Sequence, residues 1–180
     1  MTETQLDEHS KTEEIKAFLN PFSLYANNVA EHVYSNTAVA YKEGIEILGS
    51  RMLPGITRIT LNHYGVDFPI NMILLYRQQN LENDHFLYMV QHLMGNDNNV
   101  HIILGDFNKN YLTEESDFLR TRLQDYDMIV QEPTHISGSL IDHVYIHKEL
   151  KTVFEITSSI HSIYYSDHEA VQIIFKKVNR

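Results

Sequence analysis

The chain has 180 residues, of which 43% are hydrophobic, so it is long enough for one domain with a hydrophobic core, and we expect a single domain over residues 1–180. It contains no cysteine, which excludes disulfides, cysteine-based zinc sites and thiol catalysis and favours an intracellular location. The formal net charge of -10 opposes general attraction to a polyanion, so any binding to nucleic acid should be local, metal-assisted or supplied by another domain.

The first half of the chain is predicted to contain one helix followed by short strands. A capping-box pattern at residues 10–13 opens a helix that Asn20-Pro21 ends. Strands are predicted at residues 37–48 and 56–61, broken by turns at Gly44, Gly49 and Pro54-Gly55, and a longer strand is predicted at residues 70–76. No stretch reaches the ~20 apolar residues of a membrane helix, so we expect no membrane association.

The second half alternates helices and strands. Phe86, Val90 and Leu93 form the apolar stripe of a helix over residues 81–94, which Gly95 ends. A strand at residues 100–104 precedes a second helix, which begins at Thr113 and ends near Asp125. Further strands are predicted at residues 128–130, 140–146, 152–156, 160–165 and 170–176. This order predicts α/β layers that pack as a sandwich.

Polar residues interrupt the apolar strands at three places. Asp106 and Asn108 directly follow the strand of residues 100–104, at a strand end where α/β sheets usually bind ligands. Period-two alternation places Asp142 on an apolar strand face, where a carboxylate needs a partner. Asp167 and His168 lie between two strands, and an acid–histidine pair of Asp142 with His168 would orient the imidazole.

Simpler interpretations of these residues remain open. Asp106 and Asn108 are also typical turn formers, residues 166–168 also fit a turn, and Asp142 is also compatible with a structural salt bridge to Lys or Arg. Several histidines lack the spacing of metal ligands and are predicted to be surface residues: His9, His32, His85, His92, His135 and His147.

The ordered set of GDFN, SLIDHVYI and SDH resembles the late motifs of the endonuclease/exonuclease/phosphatase superfamily. The segments ILLYRQQN and PTHISGSLIDHVYI look most like the endonuclease domains of non-LTR retrotransposons and related mobile elements. The resemblance covers essentially the whole chain, although it is loose before Tyr76. It implies a four-layer α/β sandwich, in which two packed mixed β-sheets are flanked by helices.

The resemblance also implies a role for each motif residue. Asp106 would align and deprotonate the attacking water, and Asn108 would hold that aspartate and the scissile phosphate. His168, backed by Asp142, would contact a non-bridging phosphate oxygen. Tyr76 would lie near the leaving group, although it also fits an ordinary aromatic residue at a strand end.

The expected cofactor is Mg²⁺ or Mn²⁺, with Asp167 and Glu3 as ligands. Glu3 matches the metal-binding glutamate because MTETQL resembles the TETWL segment of mobile-element relatives, although it also fits a solvated acid at a frayed terminus. Relatives begin with a strand whose asparagine contacts the metal, and this chain has no room for that strand before Glu3. We therefore expect a homo-oligomer or a neighbouring polyprotein domain to supply it.

The predicted function is a Mg²⁺-dependent phosphodiesterase, a nuclear DNA endonuclease of a mobile element that nicks a strand to leave a 3′-hydroxyl. One alternative is a catalytically impaired remnant that acts as a DNA-contacting or dimerising module, which the missing strand favours. The other is a phosphatase of a small phosphorylated substrate. Inositol phosphatases, however, carry Cys-Asp-Arg where this chain has Ile141-Asp142-His143.

Overall fold

A computed structural model describes residues 23–26, 37–95 and 100–178. The chain divides into two compact units, Met1–Val100 and His101–Arg180, and a single domain over residues 1–180 stays a prediction. Glu3 and the predicted helix at residues 10–20 lie outside the described residues, as do His9 and His32. None of the helices in the described ranges is long and apolar enough to span a bilayer.

The strands of the first unit form two antiparallel groups. β1 (Ser23–Ala26) pairs with β2 (Ala38–Tyr41). β3 (Ile45–Leu53), β4 (Ile56–His63) and β5 (Ile70–Tyr76) form a meander in that order. The predicted turn at Gly49 was wrong, because β3 continues through this residue with only a shift of register. Leu48 is the extra residue of this bulge and Gly49 pairs with Thr60, so the strand does not end here.

One helix, α1 (Asn83–Met94), packs against this meander. Its buried residues include Phe86, Val90 and Leu93, which confirms the predicted apolar stripe. Arg58 on β4 donates through Nη1 to the carbonyl oxygens of Leu93 and Met94, at 2.9 and 3.0 Å. These two carbonyls belong to the last turn and have no partner within a helix, so Arg58 ties the end of α1 to the sheet.

The second unit is centred on three antiparallel strands in the order β6 (Ile102–Asp106), β8 (Asp142–His147) and β7 (Tyr126–Met128). The predicted helix over residues 113–125 is a 3₁₀ turn, Glu114–Ser116, followed by the short helix α2 (Asp117–Arg122). Thr113 caps this segment, because its hydroxyl accepts a hydrogen bond from the backbone N–H of Glu115.

The last two strands, β9 (Phe154–His161) and β10 (Ala170–Lys177), form an antiparallel pair. The predicted separate strands at residues 152–156 and 160–165 were wrong, because one strand, β9, runs through residues 154–161. Tyr164 and Tyr165 have high strand propensity but are almost fully exposed. Strand propensity reflects the packing of side chains on a sheet surface, and these two bury almost nothing.

Candidate active site

The β6–β8 pair places two carboxylates opposite each other. Asp106 is the last residue of β6 and Asp142 is the first residue of β8, and the two are register partners. Directly opposed residues project to the same face of a ladder, with Cβ atoms about 4.5–5.5 Å apart. Asp106 is only 3% exposed. Two acids therefore share one face at the end of the strand pair.

The GDxN motif forms a tight loop that holds the Asp106 carboxylate. The backbone N–H of Asn108 donates to Asp106 Oδ1 at 2.7 Å, and the Asn108 side-chain amide donates to Oδ2 at 3.2 Å. Asn108 has a φ of 47°, in the left-handed region, and asparagine enters this region more readily than most residues. Asn108 thus fixes both carboxylate oxygens of Asp106 and turns the chain.

The residues on both sides of Asn108 are hydrogen-bonded to the segment that directly precedes β8. The backbone N–H of Phe107 donates to the Ile141 carbonyl at 2.9 Å, and that of Tyr111 donates to the Leu140 carbonyl at 2.8 Å. The Asn110 side-chain oxygen accepts from the Leu140 N–H at 3.1 Å. The sequence analysis did not single out Asn110, which continues the pairing beyond Asp106.

A buried histidine forms hydrogen bonds with the backbone of this loop. His143 is fully buried, and its Nε2 donates to the carbonyls of Lys109 and Leu140 at 2.8 and 3.1 Å. The Phe107 ring stacks on the imidazole with centroids 4.5 Å apart. Burial lowers the pKa of His143 to about 4, so the ring is neutral near pH 7. With Nε2 protonated, Nδ1 can accept from the Tyr145 hydroxyl at 3.3 Å.

His168 contacts Asp142, with its Nδ1 lying 2.9 Å from Asp142 Oδ2. A carboxylate accepts hydrogen bonds, so Nδ1 of His168 donates to Asp142. The second ring nitrogen, Nε2, takes no part in this contact. Burial lowers the pKa of His168, but the hydrogen bond with Asp142 and the charges of that residue and Asp106 outweigh burial and raise the pKa above its usual value.

Thr134 connects the loops around this pair. Its buried hydroxyl accepts hydrogen bonds from the backbone N–H groups of Ile141 and Asp142, at 3.2 and 3.0 Å. Its carbonyl accepts from the Glu169 N–H at 2.7 Å. One residue thus links the segment before β8 to the segment that carries His168. Thr134 lies in the segment PTHISGS of residues 133–139, and no periodic pattern in the sequence identifies its role.

Two histidines predicted to lie on the surface are half-buried. His135 Nε2 lies 3.4 Å from Asp167 Oδ2, and its ring centroid lies 5.2 Å from that of His168. His147 packs edge-on against the Tyr126 ring at 5.0 Å. Backbone pairing, rather than sequence spacing, brings His135 to Asp167. The other two described histidines of that group, His85 and His92, are exposed as predicted.

Three of these residues could hold a metal ion. His135, Asp167 and His168 can each offer one ligand atom, and these atoms lie within 4.8 Å of one another. The Asp167 side chain is 63% exposed. Its own backbone N–H and a hydrogen bond from His135 lower the pKa of the Asp167 carboxyl, so it is ionised near pH 7.

Tyr76 and Glu3 are the remaining predicted site residues. Tyr76 ends β5 in the first unit, and it lines a cavity of about 450 Å³ together with residues of α1 and the Pro54-Gly55 turn. Its backbone N–H donates to the Gly55 carbonyl at 2.7 Å. Glu3 lies outside the described residues. The catalytic and metal-binding roles assigned to all these residues stay predictions.

No family model and no curated protein matches the chain. Solved structures do match. The endonuclease domain of TRAS1, a telomere-specific non-LTR retrotransposon, has a TM-score of 0.69 at 13% identity, and the match covers 84% of this chain and 77% of that one. The mannosyl-6-phosphatase Bt3783 of Bacteroides thetaiotaomicron has a TM-score of 0.68 at 14% identity, covering 91% and 80%.

A third similar structure is D. rerio TDP2 complexed with single-strand DNA product, with a TM-score of 0.65 at 11% identity, covering 92% of this chain and 81% of that one. Identities this low show a shared fold. Nucleases and phosphatases both occur among these structures, and the α/β sandwich predicted from the sequence is confirmed. The chain has the fold of the endonuclease/exonuclease/phosphatase superfamily.

Proposed function

We propose that the chain is a metal-dependent phosphodiesterase that nicks DNA. The observation that carries this proposal is the contact of His168 Nδ1 with Asp142 at 2.9 Å, beside the buried Asp106 that Asn108 holds. The base Asp106, the oriented imidazole of His168 and the amide of Asn108 thus lie together at the end of the β6–β8 strand pair. Hydrolysis of a phosphodiester requires such a base and donors that meet the negative charge developing on the phosphate.

Asp106 acts as the general base in this proposal. Asn108 occupies one acceptor position on each oxygen of the carboxylate. Carboxylate oxygens accept hydrogen bonds, and this is how Asp106 would hold the attacking water molecule. The carboxylate orients this water and takes a proton as the water attacks phosphorus.

His168 stabilises the charge that develops on the phosphate. With Nδ1 engaged by Asp142, a protonated imidazole donates through Nε2 to a non-bridging phosphate oxygen. The raised pKa of His168 favours the protonated form that this contact requires. Asp142 acts through His168, because it fixes the orientation of the ring and stabilises its positive charge.

The predicted Mg²⁺ or Mn²⁺ fits the exposed and ionised carboxylate of Asp167, because hard oxygen donors suit these ions. The other predicted ligand, Glu3, lies outside the described residues. Such an ion supplies charge neutralisation at the phosphate and at the departing oxygen.

DNA as the substrate is supported by the quoted sequence motifs and by two similar structures, the TRAS1 endonuclease domain and the TDP2 complex with single-strand DNA product. A mobile-element origin, nuclear localisation and a partner chain that supplies a strand belong to the same proposal.

Tyr76 would lie near the leaving group, and Tyr76→Phe tests whether its hydroxyl contributes to turnover.

A phosphatase of a small phosphorylated substrate is the second candidate. The match to a mannosyl-6-phosphatase, with a TM-score of 0.68, favours it almost as strongly as the TRAS1 match favours a nuclease. The net charge of -10 gives the chain no general electrostatic attraction to DNA, so its charge does not favour a nuclease over a phosphatase.

A nicking assay on supercoiled plasmid tests the proposal. We expect relaxation in Mg²⁺ or Mn²⁺, none in EDTA, and product ends that a DNA polymerase extends because they carry a 3′-hydroxyl. Release of inorganic phosphate from a panel of sugar and inositol phosphates is measured in parallel. Phosphate release without nicking would replace the nuclease by the phosphatase, and the absence of both activities would favour a non-catalytic module.

A further inference from the structure

His135, Asp167 and His168 form a group of two imidazoles and one carboxylate, which we name the rim cluster. Their ligand atoms lie within 4.8 Å of one another. The two imidazole planes are nearly perpendicular, at 81°, with centroids 5.2 Å apart. Ligand atoms on one Zn²⁺ lie about 3.3 Å apart for tetrahedral bonds of ~2.0–2.1 Å, so small side-chain rotations close the set around an ion.

Backbone hydrogen bonds hold the rim cluster together. His135 and His168 form an isolated antiparallel bridge. On one side of it the Ile136 N–H donates to the Asp167 carbonyl at 3.0 Å, and on the other the Glu169 N–H donates to the Thr134 carbonyl at 2.7 Å. The two loops therefore present their side chains from a fixed backbone, as a preorganised metal site requires.

Each imidazole has a second partner that can orient it toward a metal. Nδ1 of His168 is bound by the Asp142 carboxylate at 2.9 Å, and Nδ1 of His135 lies 2.7 Å from the Ser137 hydroxyl. The backbone N–H of Ser137 also donates to Nδ1 of His135 at 3.2 Å, so metal binding at Nε2 requires the ring proton to move to Nδ1, where the Ser137 hydroxyl can accept it. In that tautomer both rings present the lone pair of Nε2. Histidine ligands in metal sites usually donate their other ring N–H to a carboxylate, a carbonyl or water.

The donor chemistry favours a transition metal over Mg²⁺. Imidazole nitrogens suit Zn²⁺, Cu²⁺, Fe²⁺ and Ni²⁺, whereas Mg²⁺ prefers oxygen ligands. The charge of Asp142, which lies against His168, adds to the attraction for a divalent cation. Three protein ligands leave a further coordination position open to water.

We propose that the rim cluster binds a first-row transition metal ion of the Zn²⁺ class, and that this ion blocks Nε2 of His168. The blocking step rests on the proposed function, because Nε2 of His168 is the atom that would donate to the phosphate. Zn²⁺ would then inhibit the enzyme at a set of donors that shares Asp167 with the ligands predicted for Mg²⁺ and adds two imidazole nitrogens. Metal binding itself does not depend on the proposed function.

Binding is tested with the full chain and Co²⁺ as a spectroscopic substitute for Zn²⁺. We expect visible d–d bands that saturate at one Co²⁺ per chain and that added Zn²⁺ abolishes. His135→Ala should weaken binding at least 10-fold, and His135→Gln, which keeps an N–H donor for Asp167, should weaken it similarly. The control His85→Ala removes an exposed histidine of α1 and should bind as the wild type does.

Two outcomes would overturn the metal site: no saturable Co²⁺ spectrum in the wild type, or unchanged Co²⁺ affinity in His135→Gln. Thermal unfolding of each variant identifies any loss of fold, and His135→Gln decides the question if His135→Ala does not fold. These measurements require no catalytic activity.

Inhibition is tested by adding Zn²⁺ to the Mg²⁺-dependent nicking assay. We expect the Zn²⁺ concentration for half-inhibition to rise at least 10-fold in His135→Gln, with each protein compared with its own rate without Zn²⁺. Binding without inhibition would overturn the blocking step and leave the metal site standing. Absence of any nicking in Mg²⁺ would instead defeat the proposed function, and the Co²⁺ spectrum would still decide whether the site exists.

Discussion

Asp106 lies directly opposite Asp142 across the β6–β8 ladder. Like charges at directly opposed positions destabilise a strand pair. Asn108 donates two hydrogen bonds to the first carboxylate, and His168 contacts the second. These partners offset the repulsion locally, so the end of the strand pair accommodates two acids that a purely structural ladder would not need.

Asp106→Asn should abolish turnover with little loss of stability. The amide oxygen can still accept from the Asn108 N–H, and the Asn108 amide can flip to meet the new NH₂ group. The substitution also removes one of the two opposed charges, which offsets part of the lost hydrogen-bond strength. We expect nicking to fall at least 1,000-fold, while the Tm stays within a few degrees, as judged by circular dichroism. Wild-type cleavage by the folded variant would contradict the role of Asp106 as general base.

Asp142→Ala should reduce both activity and stability, because it removes the hydrogen-bond partner of His168 Nδ1. Asp142→Asn is the matched variant, since it keeps the size of the side chain and removes the charge. We expect both variants to lose on the order of 100-fold in kcat, with the larger loss of Tm in Asp142→Ala. Full activity in Asp142→Asn would show that the orientation and charge of His168 do not depend on this carboxylate.

Thr134→Val should destabilise the protein although the two side chains have nearly the same shape. The hydroxyl of Thr134 accepts hydrogen bonds from two backbone N–H groups, and the residue is 0% exposed. Leaving a buried donor unsatisfied costs about 1–3 kcal/mol, and we expect a loss within this range in urea unfolding. Thr134→Ser keeps the oxygen and is the control. Equal stability of Thr134→Val and Thr134→Ser would refute this role for the hydroxyl.

His143 should make the folded state sensitive to acid. Its pKa is about 4 in the folded state against the usual 6.5, because burial disfavours the charged ring. The unfolded chain therefore binds the proton first, and stability falls as the pH is lowered from 6.5 towards 4. The total loss is up to about 3 kcal/mol, since one pKa unit corresponds to ~1.4 kcal/mol.

His143→Gln isolates this contribution, because glutamine can donate to the same carbonyls but does not titrate. We expect the free energy of unfolding of the wild type, measured in urea between pH 7.5 and pH 4, to fall more steeply than that of the variant. Burial raises the pKa of Tyr145, whose hydroxyl faces the ring, so this group stays neutral between pH 4 and pH 7.5. Parallel pH profiles in the two proteins would contradict a neutral, buried His143.

Local patterns in the sequence correctly predicted the elements that bury a single face. The strand predicted at residues 70–76 is found residue for residue, and the buried stripe of α1 follows Phe86, Val90 and Leu93 as expected. Alternation gave less information about β8, where His143 and Tyr145 on one face and Val144 and Ile146 on the other are all buried. A strand covered on both faces has no alternation to detect.

The sequence by itself determined the α/β class, the boundaries of the most regular elements and the order of the three polar motifs. Only the tertiary structure decided that Asp106 faces Asp142, that Thr134 ties two loops together and that His135 contacts Asp167. The physical reason is that periodicity reports which face of a single segment is buried. Register and the pairing of loops depend instead on backbone hydrogen bonds between residues that are distant in the chain, and these bonds leave no periodic trace in the sequence.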